Sequence, residues 1–187
     1  MRMWYTCSVI VLSDEKKEGA SMEQDCRTAL EALNRYRPIP WEMIPDIGLY
    51  MDQVITLITQ VYEPLYGRQK DGYLSPSMIN NYVKARLIPR PAGKKYNREQ
   101  IALLLMIVAL KQVSTMEDIR VMLTSAARMG TETMYTRFCA RQAQALSALV
   151  SDEENLSSDL PPAMNFAIVS SGYRAGCEAT LKPAGER

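Results

Sequence analysis

The sequence predicts a mainly α-helical protein in which a short helix with one buried face is followed by a small β-hairpin and flanked by further helices. Three observations predict this class. Apolar residues recur at helical spacing in segments that begin after a capping Ser, Thr, Asn or Asp. The run 101–110 is apolar on all sides, as expected of a central core helix. A loop at 86–96 with two prolines and one glycine separates the helices.

Composition and motifs predict an ordinary globular chain and give no sign of a catalytic site. The 187 residues are 47% hydrophobic and 23% charged, with a net charge of +1, which suits one compact domain with extensions. There is no His, and the four Cys lack metal-ligand spacing. No phosphate loop, nucleophile elbow or zinc motif occurs. We therefore predict no enzyme, no cofactor and no metal, reduced thiols in the cytoplasm, and no membrane partner.

The N-terminal segment 1–21 is interpreted as a mis-assigned or disordered extension. Its apolar start, MRMWYTCSVIVL, fits neither a signal peptide nor a spanning helix. The codons for Lys17-Glu18-Gly19 can contain AGGAGG, a bacterial ribosome-binding sequence, shortly before the codon for Met22. Translation is therefore expected to begin at Met22, and the DNA sequence decides this.

The next unit, 22–44, is predicted to be an N-terminal helix and a proline-rich strap. Residues 22–35 have helical periodicity, with acids early and Arg late, as the helix dipole prefers. Three prolines then favour an extended chain, which Trp41 and Ile44 are expected to pin to the core.

The main domain is predicted at 45–150, and each of its helices has a capping residue. Asp46 is expected to cap a helix at 47–62, Ser75 one at 76–85, Asn97 one at 98–112, and Ser114 or Thr115 one at 116–128, with a last helix at 131–150. Residues 86–96 have the length of a small β-hairpin wing. From 151 to 187 the sequence is acidic, carries a Pro-Pro pair and shows no period, so we expect a loosely ordered tail.

Positive charge is concentrated on one short helix and the loop that follows it. Residues 72–98 contain no acid and six basic side chains: Lys84, Arg86, Arg90, Lys94, Lys95 and Arg98. A nearly neutral protein with such a segment has the electrostatic footprint of a phosphate-backbone binder.

The spacing within 76–87 strengthens this interpretation. Ile79, Val83 and Leu87 form a stripe suited to burial, with Tyr82 beside it. The opposite side presents Ser77, Asn80, Asn81 and Lys84. Asn pairs bidentately with adenine in the major groove, and Ser and Lys suit phosphates or base edges.

The stretches SPSMINNYVKARLIPRP (75–91), KKYNREQI (94–101) and ALKQVSTMEDIRVML (109–123) resemble the MerR-type winged helix-turn-helix pattern. Ile79, Tyr82, Leu87-Ile88-Pro89 and Tyr96 match its residues. The pattern has Arg where Asn80 stands and Gly where Arg86 stands, and Cys139 has no partner for metal sensing. More narrowly, these segments and PDIGLYMDQV (45–54) resemble the uncharacterised bacterial family of domain of unknown function 1836, a MerR-like group.

This resemblance implies a sequence-specific DNA-binding protein that regulates transcription, with double-stranded DNA as its partner. The residues expected to contact DNA are Ser75, Ser77, Asn80, Asn81, Lys84, Arg90, Lys94, Lys95, Tyr96 and Arg98. The family's symmetric operators also imply a homodimer.

Two other functions remain open at the level of the sequence. The same fold serves as a protein-interaction or adaptor module without DNA binding, which the near-neutral charge and acidic tail also fit. Alternatively, 22–65 could form a pocket for a small-molecule effector, whose identity the sequence does not give. A steep loss of binding with salt is expected only of the DNA-binding function.

Overall fold

The computed structural model describes residues 24–69, 72–152 and 160–181, and the predicted extension at 1–21 lies outside them. The protein is mainly helical, as predicted, and contains a small two-stranded antiparallel sheet. The elements in chain order are α1 (24–34), a 3₁₀ turn (Trp41–Met43), β1 (Leu49–Tyr50), α2 (Met51–Tyr66), α3 (Pro76–Lys84), β2 (Lys95–Tyr96), α4 (Arg98–Leu110), α5 (Met116–Ala126), a 3₁₀ turn (Ala127–Met129), α6 (Thr131–Val150) and α7 (Pro162–Leu181).

Helix α4 forms the centre of the core, as its sequence predicts. Almost every residue from Gln100 to Ala109 is buried, because neighbouring elements cover the helix on all sides. Helix α6 packs along it, and Tyr62 of α2 donates a hydrogen bond from its hydroxyl to the Leu105 carbonyl at 2.7 Å. The predicted cap is confirmed, since the Asn97 side chain accepts from the Gln100 N–H at 2.9 Å.

The strap between α1 and β1 is extended apart from one 3₁₀ turn, as predicted. Ile44 is fully buried, and the Trp41 ring lies 6.3 Å from that of Tyr135 on α6. The Tyr135 hydroxyl donates to the Ile39 carbonyl at 2.7 Å, so the strap is fixed to α6 by packing and a hydrogen bond.

The prediction that Asp46 caps a helix from 47 is wrong. Leu49 and Tyr50 form strand β1 instead, and α2 begins at Met51, where the Tyr50 N–H donates to Gln53 Oε1 at 2.9 Å. The helix also runs beyond the predicted end, to Tyr66, before Gly67 terminates it at φ +70°.

The predicted β-hairpin within 86–96 is reduced to one bridge. Lys95–Tyr96 pairs with Leu49–Tyr50, and only Ala92 pairs with Lys95 inside the loop. The segment before this turn contains Pro89 and Pro91, which have no N–H to donate to a ladder, so it cannot form the second strand of a hairpin.

The prediction of a loosely ordered tail is wrong for residues 162–181, which form helix α7. The Pro-Pro pair starts the helix instead of preventing it, because Pro162 occupies the first helical position, where no N–H is needed. Helix α7 contacts α5 but buries only Asn165, and Met164, Ile168 and Tyr173 are exposed. Among the described helices, none has the length and apolarity needed to cross a membrane.

Candidate nucleic-acid interface

Helix α3 presents a polar face to solvent because its other face is anchored in the core. The Ser75 hydroxyl accepts from the Met78 N–H at 3.3 Å, which confirms the predicted cap, and Pro76 follows at the first helical position. Ile79 and Tyr82 are buried, whereas the opposite side is exposed. The exposed side chains are Ser77, Asn80, Asn81 and Lys84.

Just after α3, the backbone of Arg86 adopts a left-handed conformation that favours glycine. The Arg86 N–H donates to the Val83 carbonyl at 3.1 Å, and the Leu87 N–H donates to the Tyr82 carbonyl at 2.9 Å. These two bonds form a Schellman motif, with Arg86 at φ +59°. An L-residue there costs about 1–2 kcal/mol relative to the right-handed conformation. This is the position at which the MerR pattern has glycine.

The loop after α3 ends in a tight turn that displays basic side chains. Gly93 and Lys94 both have positive φ, at 54° and 65°, and the Lys95 N–H donates to the Ala92 carbonyl at 3.0 Å. Two successive positive φ angles closed by this bond define a type I′ turn. Arg90, Lys94 and Lys95 are all exposed.

Strand β1 and the residue before it contact Lys95 at the end of this turn. The Lys95 Nζ lies 5.1 Å from the centroid of the Tyr50 ring, a cation–π contact that orients the side chain. Gly48 leaves room for Lys95, because a Cβ at position 48 would lie only 2.9 Å from the Lys95 Cβ.

A groove of about 600 Å³ lies between α3, the turn and the N-terminus of α2. It brings together five predicted contact residues, Asn80, Lys84, Arg90, Lys94 and Tyr96. A second depression of about 470 Å³ adjoins it and contains Lys84, Arg86 and Arg90. The groove is lined by Tyr50, Met51, Asp52, Asn80, Val83, Lys84, Arg90, Pro91, Lys94 and Tyr96.

A family model described as domain of unknown function (DUF1836) matches residues 39–138. The chain belongs to the DUF1836 family. The matched span runs from the strap into α6 and so contains α3, the turn and the whole groove. Neither the curated proteins nor the solved structures gave a match to this DUF1836 protein.

Three of the predicted contact residues have roles inside the DUF1836 fold. The Ser75 hydroxyl caps α3 and also hydrogen-bonds the Ser77 hydroxyl at 2.9 Å. Tyr96 is only 2% exposed, and its burial raises its pKa. Arg98 donates from Nε to the Ile44 carbonyl at 2.9 Å and lies over the Trp41 ring. The sequence pattern identified these positions, but it could not separate supporting residues from surface residues.

The groove residues that come from β1 and α2 were not predicted: Tyr50, Met51 and Asp52. Their positions follow from the pairing of β1 with β2, which brings the start of α2 beside the turn. Asp52 adds one negative charge to a wall that also carries Lys84, Arg90 and Lys94. Within the described residues, no group of three or more Cys, Asp and Glu side chains could hold a metal ion.

Proposed function

We propose that this DUF1836 protein is a sequence-specific binder of double-stranded DNA, a bacterial transcriptional regulator of MerR-like winged helix-turn-helix type. Helix α3 enters the major groove, and the loop at 86–95 contacts the phosphate backbone. The protein works in the cytoplasm and has no catalytic activity of its own.

One observation supports this function most directly: the polar face of α3 lies beside a groove edged by three cations. Asn80 lines the groove together with Lys84, Arg90 and Lys94. Amide side chains suit base edges and cations suit phosphates, so the two kinds of contact that specific binding requires adjoin each other.

The two strained cations give a second line of support. Within the described residues, Arg86 and Lys94 are the non-glycine residues with positive φ. Glycine would relieve the strain at both positions but would remove the positive charge. Strained backbone is concentrated at functional sites, and here the strained residues border the groove and its neighbouring depression.

The dimensions of α3 also fit. An α-helix with its side chains is about 10–12 Å across, so the major groove, roughly 12 Å wide, admits α3, whose nine residues span about 13 Å. The segment 72–98 carries no acid that would repel DNA.

The protein binds DNA as a homodimer, as symmetric operators of helix-turn-helix proteins require. Helix α7 supports this part of the proposal, since it exposes Met164, Ile168 and Tyr173. Its charges, Arg174 and Glu178, pair with each other at 3.1 Å, so the described helix has no net charge that would repel an identical helix. Light scattering should give twice the chain mass, and a monomer at all concentrations would contradict the homodimer.

An adaptor that binds a protein partner is the second candidate. Met51, Val83 and Pro91 give the groove apolar walls, and Asp52 adds an acid. Such a surface suits a peptide better than it suits a phosphate chain. An apolar peptide interface depends little on salt, so the two candidates differ in their salt dependence.

A binding titration tests the proposed function. A fluorescent duplex from upstream of the protein's own gene is titrated at low and moderate salt, beside a coding duplex of equal length. Tighter binding to the upstream duplex that weakens steeply with salt is expected. An absence of binding at low salt would overturn the proposal and favour the adaptor.

A further inference from the structure

The exposed face of α3 presents amides and no guanidinium. Asn80 and Asn81 stand side by side, and neither side chain has a hydrogen-bond partner within the described chain. Both amides are therefore available to a base edge. The amide of Asn matches the N7 acceptor and the N6 donor of adenine, whereas guanine is usually read by Arg or Lys.

The groove distinguishes the two asparagines. Asn80 lines it together with the cations, whereas Asn81 does not. Val83 lies three residues after Asn80, and residues at this spacing are neighbours on a helix surface. Val83 is half-buried and, with Met51 and Pro91, forms the apolar part of the wall.

The amide and the apolar wall together match one base pair. In the major groove an A·T pair presents the N6 and N7 of adenine and the methyl group of thymine. A G·C pair offers no methyl group there. An amide beside an apolar wall is therefore suited to adenine and its paired thymine.

We propose that α3 reads an A·T base pair, with the Asn80 amide on adenine and the apolar wall of Val83, Met51 and Pro91 against the thymine methyl. This inference rests on the proposed DNA binding and adds the identity of the base pair that is read. Lys84, on the last turn of α3, lies with Arg86 and Arg90 in the second depression and contacts phosphate.

The test is selection from a randomised duplex library by the full chain and by two variants. Asn80→Asp keeps the size of the side chain but only accepts hydrogen bonds, so it should favour cytosine, whose N4 donates. Gln60→Glu is the matched control, because it makes the same amide-to-carboxylate change at an exposed position of α2 outside the groove, and it should leave the preferred base unchanged. Circular dichroism should show that both variants fold, because positions 80 and 60 are exposed.

Base analogues in the selected duplex then test the two contacts separately. Replacing the adenine by 7-deazaadenine removes N7 and should weaken binding about 5-fold, the low end for a bidentate pair. Replacing the paired thymine by uracil removes one methyl and should weaken binding about 4-fold. In Asn80→Asp, the 7-deaza substitution should have no effect.

The results separate this inference from the proposed function. A selected A·T pair that changes in Asn80→Asp, together with both analogue effects, would establish the inference. A selected sequence that is unchanged in Asn80→Asp, or insensitive to both analogues, would overturn it while DNA binding stands. A library that yields no selected sequence and no salt-sensitive binding would overturn both.

Discussion

Removal of three cations from the loop after α3 should abolish most of the salt dependence of DNA binding. The variant combines Arg90→Ala, Lys94→Ala and Lys95→Ala, all at exposed positions. A matched control replaces by Ala three exposed cations of α6 and the 3₁₀ turn before it that do not line the groove: Arg128, Arg137 and Arg141. Both variants lose three positive charges, so they differ only in the place from which charge is removed.

The magnitude follows from the release of counterions. If Lys84 and the three loop cations each neutralise one phosphate, log K falls with log salt at a slope of about −3.6 per protomer. Between about 50 and 200 mM salt, the contribution of each protomer to affinity should then fall about 150-fold. The loop variant retains one contact per protomer, with a slope of about −0.9 and a loss of about 3.5-fold for each protomer. The control should keep the wild-type slope.

The assay is fluorescence anisotropy with one duplex at four salt concentrations, after circular dichroism has shown that both variants are folded. The reasoning is refuted if the loop variant and the control lower the slope equally. In that case the overall charge, and not the groove, would determine binding.

Four further predictions concern the residues around the site. Arg86→Gly should raise the free energy of unfolding by about 1 kcal/mol in urea, since glycine tolerates the positive φ, whereas Arg86→Ala should not; equal effects would exclude strain at this position. Gly48→Ala should lower it by about 1–3 kcal/mol, because the new Cβ would meet Lys95; an unchanged melting temperature would show that β1 yields easily. Asp52→Asn should tighten DNA binding, measured by anisotropy, because it removes a negative charge from the groove. Weaker binding by the variant would instead show that the carboxylate bonds to a base. Burial raises the pKa of Tyr62 well above its ordinary value, so the stability that the neutral Tyr62 hydroxyl contributes is complete below about pH 10 and is lost as the pH rises further. Tyr62→Phe should therefore flatten the decline of the urea midpoint above about pH 10. An identical decline in the variant would show that other groups cause it.

The helices of the main domain were largely predictable because their signals are local. Ser75, Asn97 and Thr115 each accept from an N–H three residues ahead, so the cap and the start of the helix lie within one turn of sequence. The burial of α4 was equally readable, since its apolar residues leave no polar face.

The sheet was not predictable because its pairing is non-local and short. β1 and β2 have two residues each, and nothing in Leu49–Tyr50 distinguishes a strand from the first turn of a helix. The pairing partner lies some 45 residues away, and the missed strand explains the wrong start of α2 and the three unpredicted groove residues from β1 and α2. Helix α7 was missed for another reason: its apolar residues are not confined to one buried face, so no period was visible.

The exposed face of α3 and its basic loop were predicted as a site, and the structure gathers five of the predicted residues in one groove. Tyr96 and Arg98 were assigned to the same site because pattern alone places them next to the loop. Arg98 is held by the Ile44 carbonyl and the Trp41 ring, which come from the strap more than 50 residues earlier. Tertiary contacts of this kind cannot be read from local sequence.

Amide hydrogen–deuterium exchange of the full chain, with and without the upstream duplex, tests the central claim most directly. The duplex should slow exchange at 75–96, which covers α3 and its loop. Exchange in α5 and α6 should stay unchanged, apart from any residues in contact between the two protomers of the proposed homodimer. Protection confined to α5, α6 or α7, or no protection with duplex in excess, would contradict the assignment of the groove as a DNA-binding surface.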